Sequence, residues 1–273
     1  MTTAKPTVHF TDKYLLSPTN PVTVNLIGAG GTGSQVLTAL ARMNHALIGL
    51  DHPGLFVRLF DDDLITEANL GRQLFAASEL GQHKASALIA RVNRFFGTNW
   101  KSVCSRFEEG KTDPGNRQAN LTISCVDTAA SRFAIAKVLK KISSRSRFYR
   151  DRGMYWMDFG NALTTGQVIL STLQTIRQPS SQQFKTCSRL PWVTDEYKQV
   201  LKSTAEEAAP SCSLSEALQK QDLFINTSLS ALGASLLWNL FRQGMIHHRG
   251  FFLNLHDFRS QPIPMSSTKQ NKS

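Results

Sequence analysis

A glycine-rich turn near the start of the chain constrains the fold more than any other feature. The turn reads Gly28-Ala-Gly-Gly-Thr-Gly33, and it follows a β-branched run at residues 23–27. Beyond it, apolar residues recur at roughly helical spacing, at positions 36, 37, 40, 47 and 48. A strand, a tight turn and a helix in this order aim backbone amides and the positive end of the helix dipole at an anion. The sequence therefore predicts a phosphate-binding turn, with a turn that binds no ligand as the structural alternative.

The same alternation of strands and helices continues along the chain. Further strands are predicted at residues 55–60, 121–126, 154–159, 166–171 and 251–255, and further helices at about 83–96, after 127 to about 142, and at 213–243. Such alternation produces right-handed crossovers and a mainly parallel sheet. A turn at 160–162 makes the following strand antiparallel. We predict an α/β fold, a Rossmann-like mainly parallel sheet with helices on both faces and an antiparallel C-terminal extension.

The 273 residues are enough for one large domain with flanking segments. Residues 1–20 are polar and mixed and are predicted to be a flexible lead-in, and the domain itself is expected over 21–264. Residues 174–212 are rich in Ser, Gln, Thr and Pro. Because a stretch of this length without periodicity is uncommon as a purely structural loop, we predict a mobile crossover loop there. The polar tail at 265–273 is predicted to be disordered.

Composition limits the partners and the compartment. The formal net charge of +11 favours anionic partners such as nucleotides, nucleic acid or an acidic protein. No apolar run approaches the ~18 residues of a spanning helix, and the first residues lack the apolar core of a signal peptide. We expect a cytoplasmic protein without membrane contact. The four cysteines form no Cys-x-x-Cys pair, so no structural zinc is expected.

A spaced series of polar residues follows the second and third predicted strands. Asp61 ends the second strand beside the glycine turn, where a carboxylate accepts hydrogen bonds from ribose hydroxyls. Further along stand Asn69, Arg72, Gln73, Lys84 and Asp127. Splitting a triphosphate between its α and β phosphates requires cations for the leaving pyrophosphate and a carboxylate for Mg²⁺. Taken singly, Arg72 and Lys84 are equally explained as solvated charges, and Asp127 as the cap of the next helix.

In their order and spacing, these motifs resemble those of the ThiF/MoeB/E1-like activating enzymes, which adenylate the C-terminal glycine of a ubiquitin-like or sulfur-carrier protein. The likeness covers residues 20–170 motif by motif and residues 205–264 more faintly. It is greatest to the ThiF-related member of a plasmid-type cassette, the PRTRC system, that also encodes a ParB-related protein. The resemblance implies the ThiF/E1 adenylation fold, ATP and Mg²⁺ as cofactors, a carrier protein as substrate, and a homodimer.

The resemblance also implies a role for each matching residue. The ATP phosphates would be cradled by Gly28, Gly30, Gly31 and Gly33. The other cofactor-binding residues would be Asp61 for the ribose, Asn69, Arg72, Gln73 and Lys84 for the phosphates, and Asp127 for Mg²⁺. Arg72 against the β and γ phosphates and Lys84 near the α/β bridge would be catalytic, because they neutralise charge and align the attack. A carboxylate is already a nucleophile, so no general base is expected.

A second step, transfer of the activated carboxyl group to a cysteine, is optional in the family. Cys212 stands in Pro-Ser-Cys-Ser, which resembles the Pro-x-Cys-Thr element of thioester-forming relatives, directly before a predicted helix whose N-terminus would favour a thiolate. Cys187, flanked by two cations, is the alternative, and a third possibility is that neither reacts. Cys104 and Cys125 lie beside or within predicted strands and are expected to be packing residues.

Two features leave alternatives open. Some family members reach an N-terminal arginine into the partner subunit's ATP site, yet residues 1–20 contain none, so Lys5 or Lys13 substitutes or the device is missing.

Residues 137–152 carry seven cations against one acid. A solvated helix end is the first interpretation, a docking surface for an acidic partner the second, and nucleic-acid binding the third, because the stretch lacks a stacking platform.

Two other functions use the same glycine turn. A non-catalytic nucleotide-binding scaffold subunit has no need of Arg72, Lys84 and Asp127 together. An NAD-dependent oxidoreductase has no use for the Asn69-x-x-Arg72-Gln73 motif. Both are therefore less favoured than the activating enzyme.

Overall fold

The computed structural model describes residues 5–71, 73–143, 152–203 and 221–265. Its strands are β1 (Thr7–Phe10), β2 (Val22–Ile27), β3 (Leu55–Phe60), β4 (Lys101–Val103), β5 (Leu121–Ser124), β6 (Tyr155–Asn161), β7 (Thr165–Thr172), β8 (Lys185–Thr186), β9 (Met245–Ile246), β10 (His248–Asn254) and β11 (Arg259–Pro264). Its helices are α1 (Lys13–Leu16), α2 (Gly31–Ile48), α3 (Lys84–Phe96), α4 (Pro114–Arg117), α5 (Ala129–Ser143), α6 (Val193–Glu196), α7 (Lys198–Ser203) and α8 (Ile225–Arg242).

One large sheet organises the chain, with the strand order β11-β10-β7-β6-β5-β2-β3-β4. From β6 through β5, β2, β3 and β4, neighbouring strands are parallel. Strands β7, β10 and β11 are each antiparallel to their neighbours. The predicted fold class, a mainly parallel α/β sheet with an antiparallel C-terminal extension, is confirmed.

Helices cover both faces of this sheet, because its inner strands carry apolar side chains on both sides. On one face, α2 and α8 pack through side chains such as Leu37 and Leu229. On the other face, α5 packs Leu139 into a second apolar cluster with Trp156 of β6. The parallel strands therefore all end at one edge, and the loops that follow them lie together there. Within the described ranges, no helix has the length and apolar character that crossing a bilayer requires.

Residues 7–16 differ from the predicted flexible lead-in, because they form β1 and α1. Strand β1 pairs with β8 and β9 in a separate three-stranded sheet. Val8 and Leu15 are fully buried, and His9 Nε2 lies 2.9 Å from the Tyr155 hydroxyl. A strand of four residues is too short to show a clear alternation of apolar and polar positions, which is why the sequence pattern missed it.

The predicted crossover loop at 174–212 contains β8, α6 and α7 as far as residue 203. Leu190 and Val193 in this stretch are buried. Residues 204–212 lie outside the described residues, as do 213–220 of the helix predicted at 213–243, so α8 is described only from Ile225. The mobility of the loop and the disorder of the tail stay predictions.

A buried ion pair attaches α5 to β6. Arg132 Nε lies 3.0 Å from Asp158 Oδ2, and both side chains are removed from solvent. The Ser124 hydroxyl donates to Asp158 Oδ1 at 2.6 Å. Burial raises the pKa of Asp158 above its ordinary value, and the Arg132 charge opposes that shift. Each charge therefore depends on the other for its stability in the interior.

Arg132→Met is expected to cost about 3–5 kcal/mol of unfolding free energy, because it leaves Asp158 buried without its partner. The double variant Arg132→Met/Asp158→Asn removes both charges and should recover much of that loss. Urea unfolding at neutral pH measures both, with Lys111→Met, which removes an exposed pair to Glu108, as the control of small effect. A loss below ~1 kcal/mol for the single variant would contradict the importance of the pair, because that is the range of an exposed salt bridge.

Candidate functional site

A cavity of about 330 Å³ opens at the carboxyl ends of the parallel strands. Its walls come from the ends of β2, β3 and β5, from the segment after β4 and from the start of α8. In open α/β sheets, ligands bind in the crevice at this edge. The residues singled out by the sequence that line it are Gly28, Gly30, Gly31, Asp61, Gln73, Lys84 and Asp127. Their ligand-binding roles remain predictions, but the structure brings these residues together.

The glycine turn is shaped by close backbone contacts. Gly28 has φ of 96°, and a Cβ atom there would lie 2.4 Å from the Cys125 carbonyl oxygen. At Gly33, which lies beneath the turn and does not line the cavity, a Cβ atom would lie 1.9 Å from the Gly28 carbonyl oxygen. Around Gly30, no described atom lies within 4 Å of the Cβ position, so this residue faces open space. The start of α2 thus lies at the cavity, since Gly30, Gly31 and Thr32 all line it.

Asp61 fixes the turn to the end of β3. Its Oδ2 atom accepts a hydrogen bond of 2.7 Å from the backbone amide of Ala29, and its Oδ1 atom accepts one of 3.0 Å from the amide of Asp63. Burial raises the pKa of Asp61, while the Ala29 amide and the Lys84 charge oppose the shift. Each carboxylate oxygen has a second lone pair, so a hydroxyl group in the cavity can still donate to it.

Two cations at the cavity are held by the two aspartates that follow Asp61. Lys84 Nζ lies 2.9 Å from Asp63 Oδ2, and the lysine side chain is only 8% exposed. Arg106 Nε lies 2.8 Å from Asp62 Oδ2, and this guanidinium is largely exposed. Arg106 was missed by the sequence analysis, because it follows the unpredicted strand β4. Had β4 been recognised as a strand, a basic residue directly after it would have indicated a cation at the carboxyl ends of the parallel strands.

The loop before α3 contains three residues that were predicted to bind phosphate, and the structure places them differently. Gln73 is 7% exposed and lines the cavity, and its Oε1 atom has no hydrogen-bond partner among the residues that the structure describes. Asn69 is also buried, but its Oδ1 atom accepts from the Thr66 amide at 2.9 Å and closes the loop. Asn69 does not line the cavity. Arg72 lies outside the described residues.

Asp127 is exposed and lines the cavity at the start of α5. The adjacent Thr128 caps this helix, since its hydroxyl oxygen accepts a hydrogen bond of 3.1 Å from the Ser131 amide. The alternative explanation of Asp127 as the cap is therefore not needed. Among the residues described, no group of three or more His, Cys, Asp or Glu side chains is arranged to hold a metal ion.

The cysteines occupy different environments. Cys125 is buried, as expected for a packing residue, and burial raises the pKa of its thiol. Cys104 is exposed, and its Sγ atom lies 3.2 Å from the Ser86 hydroxyl, so the expectation of a packing residue is wrong there. Cys187 is half-buried and donates to the Arg189 carbonyl oxygen. Cys212 lies outside the described residues.

The basic stretch at 137–152 is described only in part. Lys137 and Lys141 on α5 both pair with Glu109, and Lys140 lies 3.8 Å from Asp195. These pairs are exposed and belong to the surface of a helix end. Residues 144–151 lie outside the described residues, so the three interpretations of the stretch stay predictions.

The comparison with known families identifies the chain. A model of the ThiF family matches residues 16–269. The chain belongs to the ThiF family. This match covers the glycine turn, the cavity and the antiparallel extension, so the described site lies within the family's common region. No curated protein matches the sequence of this ThiF-family chain.

Solved structures share the fold of this ThiF-family chain. It is similar to selenomethionine PaaA, with a TM-score of 0.56 and 13% identity over 89% of this chain and 64% of PaaA. It is also similar to E. coli MccB crystallised with MccA-N7isoAsn, with a TM-score of 0.55 and 14% identity over 90% of this chain and 64% of MccB. For MccB crystallised with ATP, the TM-score is 0.53 and the identity 14%, over 92% of this chain and 65% of MccB. The chain thus spans 64–65% of the length of these crystallised chains, and at such identities the similarity shows the fold alone.

Gly33→Ala is expected to destabilise the fold by about 1–3 kcal/mol or more, because a Cβ atom at this position overlaps the backbone of the turn. Gly30→Ala, in the same turn, should leave the unfolding midpoint nearly unchanged, because it projects into open space. Thermal unfolding of the two variants side by side measures the difference. Equal midpoints for both would show that the turn is not packed as described.

Proposed function

We propose that this protein is an E1-like adenylating enzyme that joins AMP to the C-terminal carboxylate of a small protein. One observation carries the proposal: a glycine turn, a ribose-type aspartate, a buried lysine and an exposed aspartate all line one cavity where the parallel strands end. Membership of the ThiF family supports the same activity. A non-catalytic scaffold subunit and an NAD-dependent oxidoreductase can both use the glycine turn, but neither needs the lysine and the second aspartate at the same cavity, so both are less favoured.

The cavity has the features that a nucleotide requires. Its volume of about 330 Å³ falls in the usual range for ligand pockets, roughly 300–1,000 Å³. Gly30 leaves open space above the first turn of α2, where backbone amides and the helix dipole favour phosphate. Gln73 supplies a buried polar atom, Oε1, that has no hydrogen-bond partner within the part of the chain that the structure describes. We propose that ATP occupies this space, with its ribose near Asp61.

Lys84 is the described cation best placed for catalysis. Its buried stem fixes the ammonium group at the cavity wall, where it pairs with Asp63. A triphosphate carries more negative charge than one carboxylate, so it can compete with Asp63 for this ammonium. Arg72, expected from the family resemblance, would add a second cation.

We propose that Asp127 helps to hold Mg²⁺. Protein sites for this ion commonly supply only one or two carboxylates and leave the remaining positions to phosphate oxygens and water. Asp127 is exposed and lines the cavity, and the helix that follows is capped by Thr128 rather than by Asp127. Bound there, Mg²⁺ would neutralise phosphate charge.

The chemistry requires alignment rather than proton transfer. A carboxylate oxygen of the substrate forms a bond to the α phosphorus, and the bond from that phosphorus to the bridging oxygen breaks, so that pyrophosphate leaves with the electron pair. The protein's part is to hold the triphosphate and stabilise the departing charge, which Lys84 and the amides of the turn do electrostatically.

The second substrate, which receives the AMP, is the next part of the proposal. MccB, which shares the fold, has been crystallised with MccA as well as with ATP, which supports a peptide or protein as the second substrate here. We propose a ubiquitin-like or sulfur-carrier protein ending in glycine. The PRTRC assignment, the homodimer and the cytoplasmic location stay predictions.

The direct test uses small proteins encoded beside the gene of this chain. Each is incubated with the full-length protein and MgATP, pyrophosphate release is followed, and the substrate's C-terminus is examined by mass spectrometry. The proposal predicts AMP on a terminal glycine and pyrophosphate in solution. Cleavage of ATP to ADP and phosphate, with every C-terminus unmodified, would contradict it.

Lys84→Gln and Asp127→Asn are each expected to lower the rate of ATP–pyrophosphate exchange by about 10²–10³, the usual cost of removing one electrostatic contact to a transition state. Neither should change the thermal midpoint by much. Lys202→Gln and Asp195→Asn are matched controls on the surface of α7 and α6, away from the cavity. Exchange rates like those of the controls would remove the assigned roles.

Cys212→Ala is expected to leave adenylation intact and to abolish any thioester between the enzyme and the activated carrier. A non-reducing gel, with and without a thiol reagent, detects the conjugate. If a reducible conjugate persists in this variant, the nucleophile is another cysteine, and Cys187→Ala tests the alternative.

A further inference from the structure

One wall of the cavity is formed by a residue almost two hundred positions away from the glycine turn in sequence. Asn226, the second residue of α8, is 2% exposed and lines the cavity. The ThiF-type motifs do not include it, and the sequence analysis did not single it out. Its side chain nevertheless joins several elements at the phosphate end of the site.

Helix α8 holds Thr32, in the first turn of α2, at two points. The Thr32 hydroxyl donates to Asn226 Oδ1 at 2.8 Å, and the Ser230 hydroxyl donates to the Thr32 carbonyl oxygen at 3.2 Å. Asn226 and Ser230 are four residues apart, so they lie on the same face of α8. This arrangement fixes both the side chain and the backbone of a residue that itself lines the cavity.

The remaining hydrogen bonds of Asn226 fix the orientation of its amide. Asn161, at the end of β6, donates through Nδ2 to Asn226 Oδ1 at 3.0 Å. Asn226 Nδ2 donates to Gln221 Oε1, also at 3.0 Å. The oxygen therefore accepts two hydrogen bonds and the nitrogen donates one, and the buried amide cannot turn over without losing them.

Contact with Asn226 also explains why position 31 is glycine. The Gly31 backbone is not in the left-handed region, so its conformation does not demand glycine. A Cβ atom there would lie 2.4 Å from Asn226 Nδ2, and the nearest atoms all belong to that side chain. Gly31 thus allows α8 to approach the turn, in addition to any role toward phosphate.

We propose that Asn226 is a positioning residue for nucleotide binding. It holds the first turn of α2 so that the amides after Gly30 face the cavity, and it links that turn to β6 and Gln221. The inference rests on the proposed function, since it concerns the same nucleotide site. It assigns to α8 a share in phosphate binding without contact between Asn226 and the reacting atoms.

A double-mutant cycle of Asn226 and Gly31, made in the full-length protein, tests this assignment. The variants are Asn226→Ala, Gly31→Ala and the double variant, with Asn239→Ala on the same helix as the control. The probe is AMPCPP, an ATP analogue not cleaved between the α and β phosphates, and its dissociation constant is measured by calorimetry with Mg²⁺. We expect Asn226→Ala to weaken binding roughly tenfold, the change produced by about 1.4 kcal/mol.

Gly31→Ala should weaken binding at least as much, because its methyl group displaces the Asn226 amide. The double variant should bind no worse than Asn226→Ala alone, because the obstructing side chain is gone. If Gly31→Ala fails to fold while the double variant folds and binds, the steric coupling is equally supported.

Provided that the wild-type protein binds AMPCPP, any of three results would overturn the inference. The affinity of Asn226→Ala could be unchanged, or the losses of affinity in the two single variants could add up in the double variant. The third result is that neither Gly31→Ala nor the double variant folds. A wild-type protein that does not bind AMPCPP would instead refute the proposed function, and the inference with it. Asn239→Ala should bind like the wild type in every case, since its side chain lies away from the cavity.

Discussion

The close approach of three backbone segments at the glycine turn is the constraint on which the site depends. The Gly28 amide donates to the Phe60 carbonyl oxygen at 2.8 Å, and the Cys125 amide donates to the Ile27 carbonyl oxygen at 2.8 Å. The ends of β3 and β5 are thereby joined to the turn after β2. Any side chain on Gly28 would intrude on this junction. The cavity at this edge exists because the turn occupies so little space.

Three consecutive aspartates distribute the charge of the site. Asp61 bonds to the turn, Asp62 pairs with Arg106 and Asp63 pairs with Lys84. Both cations at the cavity are thus held by carboxylates of the same short segment. A polyanion can displace such partners, whereas a neutral ligand gains nothing from doing so. Lys84 and Arg106 are therefore the described cations of the cavity for which a polyanion would compete.

The sequence predicted the inner part of the sheet and much of the cavity. Strands β2, β3 and β5 and helix α2 were recognisable because buried elements carry long apolar runs or helical spacing. The glycine turn fixed the place of Asp61, and parallel topology placed Asp127 at the same edge. These inferences needed only local pattern and one rule of sheet geometry.

The missed features depend on contacts between distant parts of the chain. Strand β4 has three residues without buried side chains, so it left no pattern, and Arg106 behind it went unnoticed. Asn226 is a single polar residue at the start of an apolar helix, and its contact with Gly31 and its hydrogen bonds to Thr32 and Asn161 are visible only in the folded chain. For Asn69, the sequence did not reveal that its side-chain oxygen accepts a hydrogen bond from the Thr66 amide and closes a loop. Its role toward phosphate stays a prediction.

The crystal structure of the full-length protein with AMPCPP and Mg²⁺ tests the central claim most directly. We expect the triphosphate on the backbone amides after Gly30, the ribose hydroxyls on Asp61, and Lys84 turned from Asp63 toward phosphate. A nucleotide bound elsewhere on the molecule, or bound here with its base on the glycine turn, would contradict it.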